Sequence, residues 1–289
     1  MVRTISTPGS ERSVRRPWWR RLATVAALAI VVVAVAVATT GSAAGAAQAD
    51  ANESTTNESI ETTELVPLNL TAAAANDSTA VTISGEGQTV TDPFVLEGGL
   101  LLVGYDHAGE SNFQLVLWNE SADEEVAYLA NRIGTVDGVG ATGLPAGEYS
   151  MAVTADGPWN LTLLQPNATA TASAAPANAT DGGATTTDGR SNATPVYPNA
   201  TEAPATASGE GQAVLGPVNF TESVILTANH TGESNFQVTI WSENATSFLD
   251  ASYAFNEIGR VDGAETRLRH TGTAWIVVNA DGAWELSIE

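Results

Sequence analysis

The chain has 289 residues, with 33 Asp and Glu against 11 basic residues, no cysteine and a net charge of −22. Every basic residue is Arg, and six of the eleven precede residue 22, so the bulk of the protein sets 32 carboxylates against five Arg. That balance excludes nucleic acid and anionic lipid as partners, because phosphate binding needs clustered Lys or Arg, and the missing cysteine excludes disulfides and thiolate sites.

In chain order, the first segment is for targeting. Arg12, Arg15, Arg16, Arg20 and Arg21 precede an apolar run, 22–38, and a small-residue stretch ending Ala47-Gln48-Ala49. These are the three regions of an export signal, with residues 1–21 as the basic cytoplasmic end. Arg15-Arg16-Pro17-Trp18-Trp19 is similar to a twin-arginine signal, with Val14 where that motif prefers Ser or Thr. As a helix the run rises about 26 Å, slightly short of a bilayer core. A cleaved signal with a mature start near Asp50 and a retained membrane anchor both fit, and either places the rest outside the cytoplasm.

Residues 39–78 and 166–205 are rich in Ala, Thr, Asn and Ser and lack apolar periodicity. Such stretches cannot bury enough surface to fold and read as a disordered stalk and a disordered linker. At about 5–6 Å × √n the linker averages ~35 Å end to end, so the flanking modules are expected to be presented separately. Thirteen of eighteen Asn stand in Asn-x-Ser/Thr, against about four by chance, which points to N-glycosylation. They are Asn52, Asn57, Asn69, Asn76, Asn119, Asn160, Asn167, Asn178, Asn192, Asn199, Asn219, Asn229 and Asn244.

Two modules, 79–165 and 206–289, carry the fold. Ser84-Gly85-Glu86-Gly87-Gln88 returns as Ser208-Gly209-Glu210-Gly211-Gln212, and His-x-Gly-Glu-Ser-Asn-Phe recurs at 107–113 and 230–236. Val136-Asp137-Gly138 answers Val261-Asp262-Gly263, and Ala-Asp-Gly-x-Trp closes each copy at 155–159 and 280–284. The offset drifts by only about two residues, so this is a tandem duplication of a domain too long for a solenoid repeat. Phe113, Leu115 and Leu117 alternate with Gln114 and Val116, as Phe236, Val238 and Ile240 do with Gln237 and Thr239, and Trp159 and Trp284 share the inward parity of the last strands. Period two between Gly-rich turns gives an all-β fold: two tandem antiparallel β-sandwich domains, jelly-roll or Ig-like, behind one N-terminal hydrophobic helix. Leu100 to Val103 and Val224 to Leu226 suit strands covered on both sides. The Asp-Gly pairs at 137, 156, 262 and 281 read as turns.

At Gly-Glu-Tyr-Ser-Met-Ala-Val, 147–153, and the Asp-Gly-x-Trp strands, the modules resemble small jelly-roll or Ig-like appendage domains of secreted prokaryotic proteins, such as prepeptidase C-terminal domains. The resemblance covers about 60% of the chain, the share occupied by two repeated modules of this length, and transfers no site residue. It implies an accessory role on surfaces, glycans or Ca²⁺, or a passive spacer.

The shared His motif admits three readings. His107, Ser111 and Asp137, or His230, Ser234 and Asp262, sketch a hydrolase triad, but a nucleophile elbow needs Gly on both sides of Ser and a helix after it. Asp106, Glu110 and Asn112, or Asn229, Glu233 and Asn235, offer hard oxygens to Ca²⁺. The reading favoured by the residues is a tight connection in which Gly109 or Gly232 takes an unusual backbone angle and Phe opens a core strand. Trp118 and Trp241 fall on the outward parity and suit either a ligand platform or a ring folded over the sandwich edge. The sequence therefore predicts an exported, acidic, glycosylated surface protein of a halophile, non-catalytic and without cofactor. Its expected partners are cell-envelope components or neighbouring surface proteins; glycan binding or service as an accessory enzyme subunit are alternatives.

Overall fold

The computed structural model describes residues 62–75, 77, 79–166, 185–188 and 199–289. The proposed signal or anchor at 1–38 lies outside them, as do most of the stalk and of the linker. Among the described residues no helix is long and apolar enough to cross a membrane.

Ahead of the first module stand a strand, β1 (Thr63–Leu65), and a five-residue helix, α1 (Leu70–Ala74). The first module comprises β2 (Val81–Glu86), β3 (Thr89–Val90), β4 (Phe94–Leu96), β5 (Gly99–His107), β6 (Asn112–Asn119), β7 (Glu124–Ile133), β8 (Val136–Leu144), β9 (Gly147–Thr154) and β10 (Pro158–Leu164). Two short strands follow, β11 (Thr185–Asp188) and β12 (Thr201–Glu202). The second module is β13 (Ala205–Glu210), β14 (Ala213–Phe220), β15 (Val224–His230), β16 (Asn235–Ser242), a 3-10 turn at Phe248–Asp250, β17 (Ser252–Ile258), β18 (Val261–Leu268), β19 (Gly272–Asn279) and β20 (Ala283–Ile288).

Each module builds two sheets from the same pattern. In the first, β2-β10-β5-β8 form one sheet and β3-β9-β6-β7 the other, with β4 also paired to β9; in the second, β13-β20-β15-β18 face β14-β19-β16-β17. The period-two residues meet between the layers: Phe113, Leu115, Leu117, Met151 and Val153 from one sheet pack on Ile83, Val103, Trp159 and Leu161 from the other. Their counterparts Phe236, Val238, Ile240, Ile276 and Val278 pack on Ala207, Leu226, Trp284 and Leu286. The outer strand paired to β9 is broken between β3 and β4 around Pro93, and β14 shifts register between Leu215 and Val218, around Pro217. A residue without an N–H interrupts a ladder in both copies.

Three expectations are corrected. First, parts of the stalk and linker are ordered. β1 pairs in parallel with β13, burying Leu65 in the second module's core; β11 pairs with β2, and β12 with β14. Asn69 caps α1, its Oδ1 accepting from Ala72 N at 2.9 Å, while Leu70 lies where a Cβ on Gly104 of β5 would meet it at 3.2 Å. A few apolar residues in a polar stretch suffice when sheet edges and an apolar sheet face are there to receive them. Second, the modules are not separately presented: the described residues of both belong to one compact unit. Leu100, Leu102 and Leu164, from the outer face of β5 and β10, share a cluster with Val214, Trp241, Trp275 and Val277 from the outer face of β14, β16 and β19, and Leu70 and Ala74 join them. Third, Leu100 to Val103 is covered on both sides, but Val224 to Leu226 is not, since Ile225 is 36% exposed.

Polar groups frame that contact. Gln212 Oε1 accepts from Tyr105 Oη at 2.8 Å and from Val139 N at 2.9 Å, and Gln212 Nε2 donates to Asn279 Oδ1 at 3.0 Å. Leu100 N donates to Glu243 O at 3.2 Å, and Leu68 N to Val214 O at 2.7 Å. Burial pushes the Tyr105 phenol up, against the nearby Arg132 and the bond to Gln212, which pull it down. The backbones meet closely at Gly143, where a Cβ would fall 2.7 Å from the carbonyl carbon of Ala245.

Candidate functional site

The repeated motifs converge at one end of each module. His107 ends β5, which places its ring in the core, 1% exposed and stacked on Phe113 with centroids 5.0 Å apart. Its Nδ1 lies 3.0 Å from Gly134 O, in the β7–β8 turn, and its Nε2 lies 3.2 Å from Asp156 Oδ1, in the β9–β10 turn. A carbonyl oxygen only accepts, so Nδ1 is the donor there. The Nε2 contact is a close electrostatic approach rather than an aligned hydrogen bond. Asp156 Oδ2 accepts from the backbone N–H of Glu110 at 3.0 Å and of Ser111 at 2.9 Å. One imidazole and one carboxylate thus tie together the β5–β6, β7–β8 and β9–β10 connections.

The second module repeats the arrangement. His230 Nδ1 lies 2.9 Å from Gly259 O and its Nε2 3.2 Å from Asp281 Oδ1, while Asp281 Oδ2 accepts from Glu233 N at 3.1 Å and Ser234 N at 2.8 Å. His230 stacks on Phe236 at 4.7 Å. Around Asp156, desolvation pushes the carboxyl up, but the backbone N–H groups of Glu110, Ser111 and Asp156 itself, with His107 beside them, outweigh it and hold the group below its ordinary value. The same balance lowers Asp281, through Ser234, Glu233, its own N–H and His230.

The remaining motif residues complete the knot. A Cβ on Gly109 would strike both Asp156 and the His107 ring, and one on Gly232 would strike Asp281 and His230. Close approach, not an unusual angle, therefore requires these glycines; neither is among the residues with positive φ. The unusual angle belongs to Gly87 and Gly211, at φ 69° and 70°, whose carbonyls accept from the indole N–H of Trp159 and Trp284, both at 3.0 Å. Each indole lies against Gly85 or Gly209, where a Cβ would strike it.

The sketched triads do not assemble. Asp137 pairs across strands with Asp106 on the outer face, not with His107, and the carboxylates that reach the imidazoles are Asp156 and Asp281. The sequence reading took these two as turn residues only; their recurrence in both copies, at a fixed distance from Trp, was the available signal. Ser111 and Ser234 enter through their backbone N–H. The Ca²⁺ candidates divide. Asp106 lies near the end of β5 in one sheet, where its Oδ1 accepts from Asn160 Nδ2 at 2.8 Å, while Asn112 opens β6 in the other. Asn229 Oδ1 accepts from Gly263 N at 2.8 Å, and Asn235 opens β16 in the opposite sheet. Among the described residues no group of three or more His, Cys, Asp or Glu is placed to hold a metal ion.

The ligand-platform reading of the outward tryptophans is also corrected, since Trp118 and Trp241 are each only 6% exposed. Trp241 packs in the contact between modules and donates to Thr239 Oγ1 at 3.0 Å. Trp118 lies in the central strand β6, flanked by β9 and β7. Of the sequons, Asn69, Asn119, Asn160, Asn199, Asn219, Asn229 and Asn244 are described, and none is buried; Asn52, Asn57, Asn76, Asn167, Asn178 and Asn192 lie outside the described residues.

No family model and no curated protein matches this chain. Among solved structures, a variant of oxalate decarboxylase from B. subtilis is 11% identical, with a TM-score of 0.18 over 72% of this chain and 67% of that one. A second structure, described as a structural element that modulates proton-coupled electron transfer in oxalate decarboxylase, is 10% identical, with a TM-score of 0.17 over 70% and 68%. Likeness of that degree carries no argument about fold or activity.

Proposed function

We propose that this is a non-catalytic, exported, N-glycosylated protein of a halophile's cell surface, in which two jelly-roll sandwiches act as one structural or adhesive unit. The observation that carries this reading is the use made of the duplicated polar motif. Its imidazole is enclosed, with Nδ1 on a carbonyl and Nε2 against a carboxylate. Its carboxylate is engaged by backbone N–H groups, leaving no group free to take or give a proton to a substrate. The acidic balance and the sequon excess support an external, high-salt setting, and the resemblance to appendage domains fits an accessory role. The partners expected are envelope components or neighbouring surface proteins.

The test is made on native material. Intact mass and N-terminal sequencing should give a chain heavier than its sequence and beginning near Asp50 or retaining the anchor, and fractionation should place it in the envelope. An unmodified chain in the cytoplasm would overturn the reading. The unit should also melt higher in molar salt than at about 50 mM, because screening relieves self-repulsion; a melting temperature independent of salt removes the halophile component.

A further inference from the structure

On the outer face of the β2-β10-β5-β8 sheet, Asn160 of β10 stands opposite Asp106 of β5, and its Nδ2 donates to Asp106 Oδ1 at 2.8 Å. On the corresponding face of the second module the same two strands carry the pair with its identities exchanged. Asn229 of β15 stands opposite Glu285 of β20, with Nδ2 facing Glu285 Oε2 at 3.5 Å. In each copy the asparagine, and not the residue that replaces it in the other, opens an Asn-x-Thr sequon, Asn160-Leu161-Thr162 and Asn229-His230-Thr231. The asparagine has changed strand between the copies, and the sequon has moved with it. Core packing does not demand this, because both asparagines point away from the core, on the parity opposite Trp159 and His230.

The surroundings in the second module say where an attached group would lie. Gly263 N holds Asn229 Oδ1 at 2.8 Å, which turns Nδ2, the atom that bears an N-linked sugar, toward Glu285. Beside it runs an open groove of about 250 Å³ lined by Thr206, Ser208, Thr227 and Ser287, with Glu64 of β1 and Glu285 at its sides. At about 30 Å³ per water that is space for about eight waters, the scale of a single sugar ring. Its side-chain groups are hydroxyls, which donate and accept, and carboxylates, which accept from sugar hydroxyls.

We infer that this sheet face is the glycan attachment face of each module, at Asn160 and Asn229, and that the first sugar on Asn229 occupies the groove beside it. The inference rests on the glycosylated reading above. The transfer is made by an external transferase from a phosphate-activated sugar: a bond forms between Nδ2 and the anomeric carbon, the carbon–oxygen bond to phosphate breaks, phosphate leaves with the electron pair, and one amide proton passes to solvent. The cross-strand carboxylate and, at Asn229, the Gly263 N–H orient the carboxamide.

Glycopeptide mass spectrometry on the full-length protein purified from its own host tests it. Asn160 and Asn229 should both be occupied; Thr162→Ala and Thr231→Ala should abolish occupancy at the matching asparagine, and Thr162→Ser and Thr231→Ser, which keep both sequon and hydroxyl, should retain it. Carboxyl footprinting of the same samples should show Glu64 and Glu285 labelled several-fold more in Thr231→Ala than in Thr231→Ser. Sugar at other sequons with both of these bare overturns the inference and leaves the glycosylated reading standing, whereas thirteen bare sequons overturn both. Sugar on Asn229 with unchanged footprints overturns the groove assignment.

Discussion

The two modules share their interior and differ in the faces they turn outward. Phe113 and Phe236, Trp159 and Trp284, His107 and His230, Asp156 and Asp281 occupy matching places with matching partners. Outside, the match is partial: Val90 and Trp118 still answer Val214 and Trp241, but their neighbours differ. Leu164, buried against the second module, corresponds to Glu289; Leu102 corresponds to the exposed Ile225; Ser150 and Ala152 correspond to Trp275 and Val277, which face the first module. After duplication, each interior position still had to fill the same space, whereas an outer face was constrained only where something came to lie on it. Within the contact, the divergence falls on the outer face of β5 and β10 in one module and of β19 in the other, whereas Val214 of β14 and Trp241 of β16 keep the identity of their counterparts.

The largest effects should fall on what the copies share. Trp159→Ala and Trp284→Ala each remove a ring under 3% exposed, together with its bond to a glycine carbonyl, and each should cost about 3–5 kcal/mol. Chemical denaturation of the single variants would check this. A loss at one tryptophan several times that at the other would break the equivalence of the interiors.

Next come the residues that differ. Trp275→Ser installs the residue of the first module at that place, and Leu164→Glu installs the residue of the second. Each empties or charges the contact between modules without touching either interior, and each should cost about 2–4 kcal/mol, the range of a buried anchor residue. Calorimetry should then show one transition separating into two. A single transition at an unchanged temperature would mean that the shared cluster does not couple the modules.

These differences also explain what could be read from the chain. Alternation such as Phe113, Leu115, Leu117 reports a local geometry, so strands and core followed directly. The parity of Trp118 and Trp241 was also legible, since both lie on outer faces, but their burial was not, because the cover over Trp241 comes from the other module. Leu65 and Leu70 were missed for the same reason: each is held by a sheet distant in sequence, within a stretch whose composition reads as linker. Asp156 was hidden differently, since Asp-Gly is a turn signal wherever it occurs, and only the structure shows its carboxylate bridging two other connections.

A smaller effect should come from the polar frame of the contact. Gln212→Ala removes the acceptor of both Tyr105 Oη and Val139 N and the donor to Asn279, and should cost about 1–3 kcal/mol, mostly through partners left unpaired in a covered site. Gln88, in the matching motif of the first module, has no described partner across the contact, so Gln88→Ala should leave stability nearly unchanged. An equal loss in both variants, measured by urea titration, would show that the glutamine acts within its own module.

The smallest effect concerns the carboxylates of the knot, which are 38% and 37% exposed and so partly screened by solvent. Asp156 and Asp281 titrate below their ordinary value in the folded protein. A carboxyl of lowered pKa contributes stability that is complete above its unfolded value, about 3.9, and fades as the pH falls through the folded value. Melting temperature should therefore drop in acid below about pH 4, on top of the response of the other carboxylates. Asp156→Asn and Asp281→Asn should each start less stable at neutral pH, because an amide oxygen is a weaker acceptor than a carboxylate for the two backbone N–H groups. As the pH falls below about 4 and through the lowered folded value, each variant should converge on the parent, whose carboxyl becomes neutral only there. The two should behave alike, since the knots match bond for bond; acid curves that differ between the variants would mean that the interiors have diverged as the outer faces have.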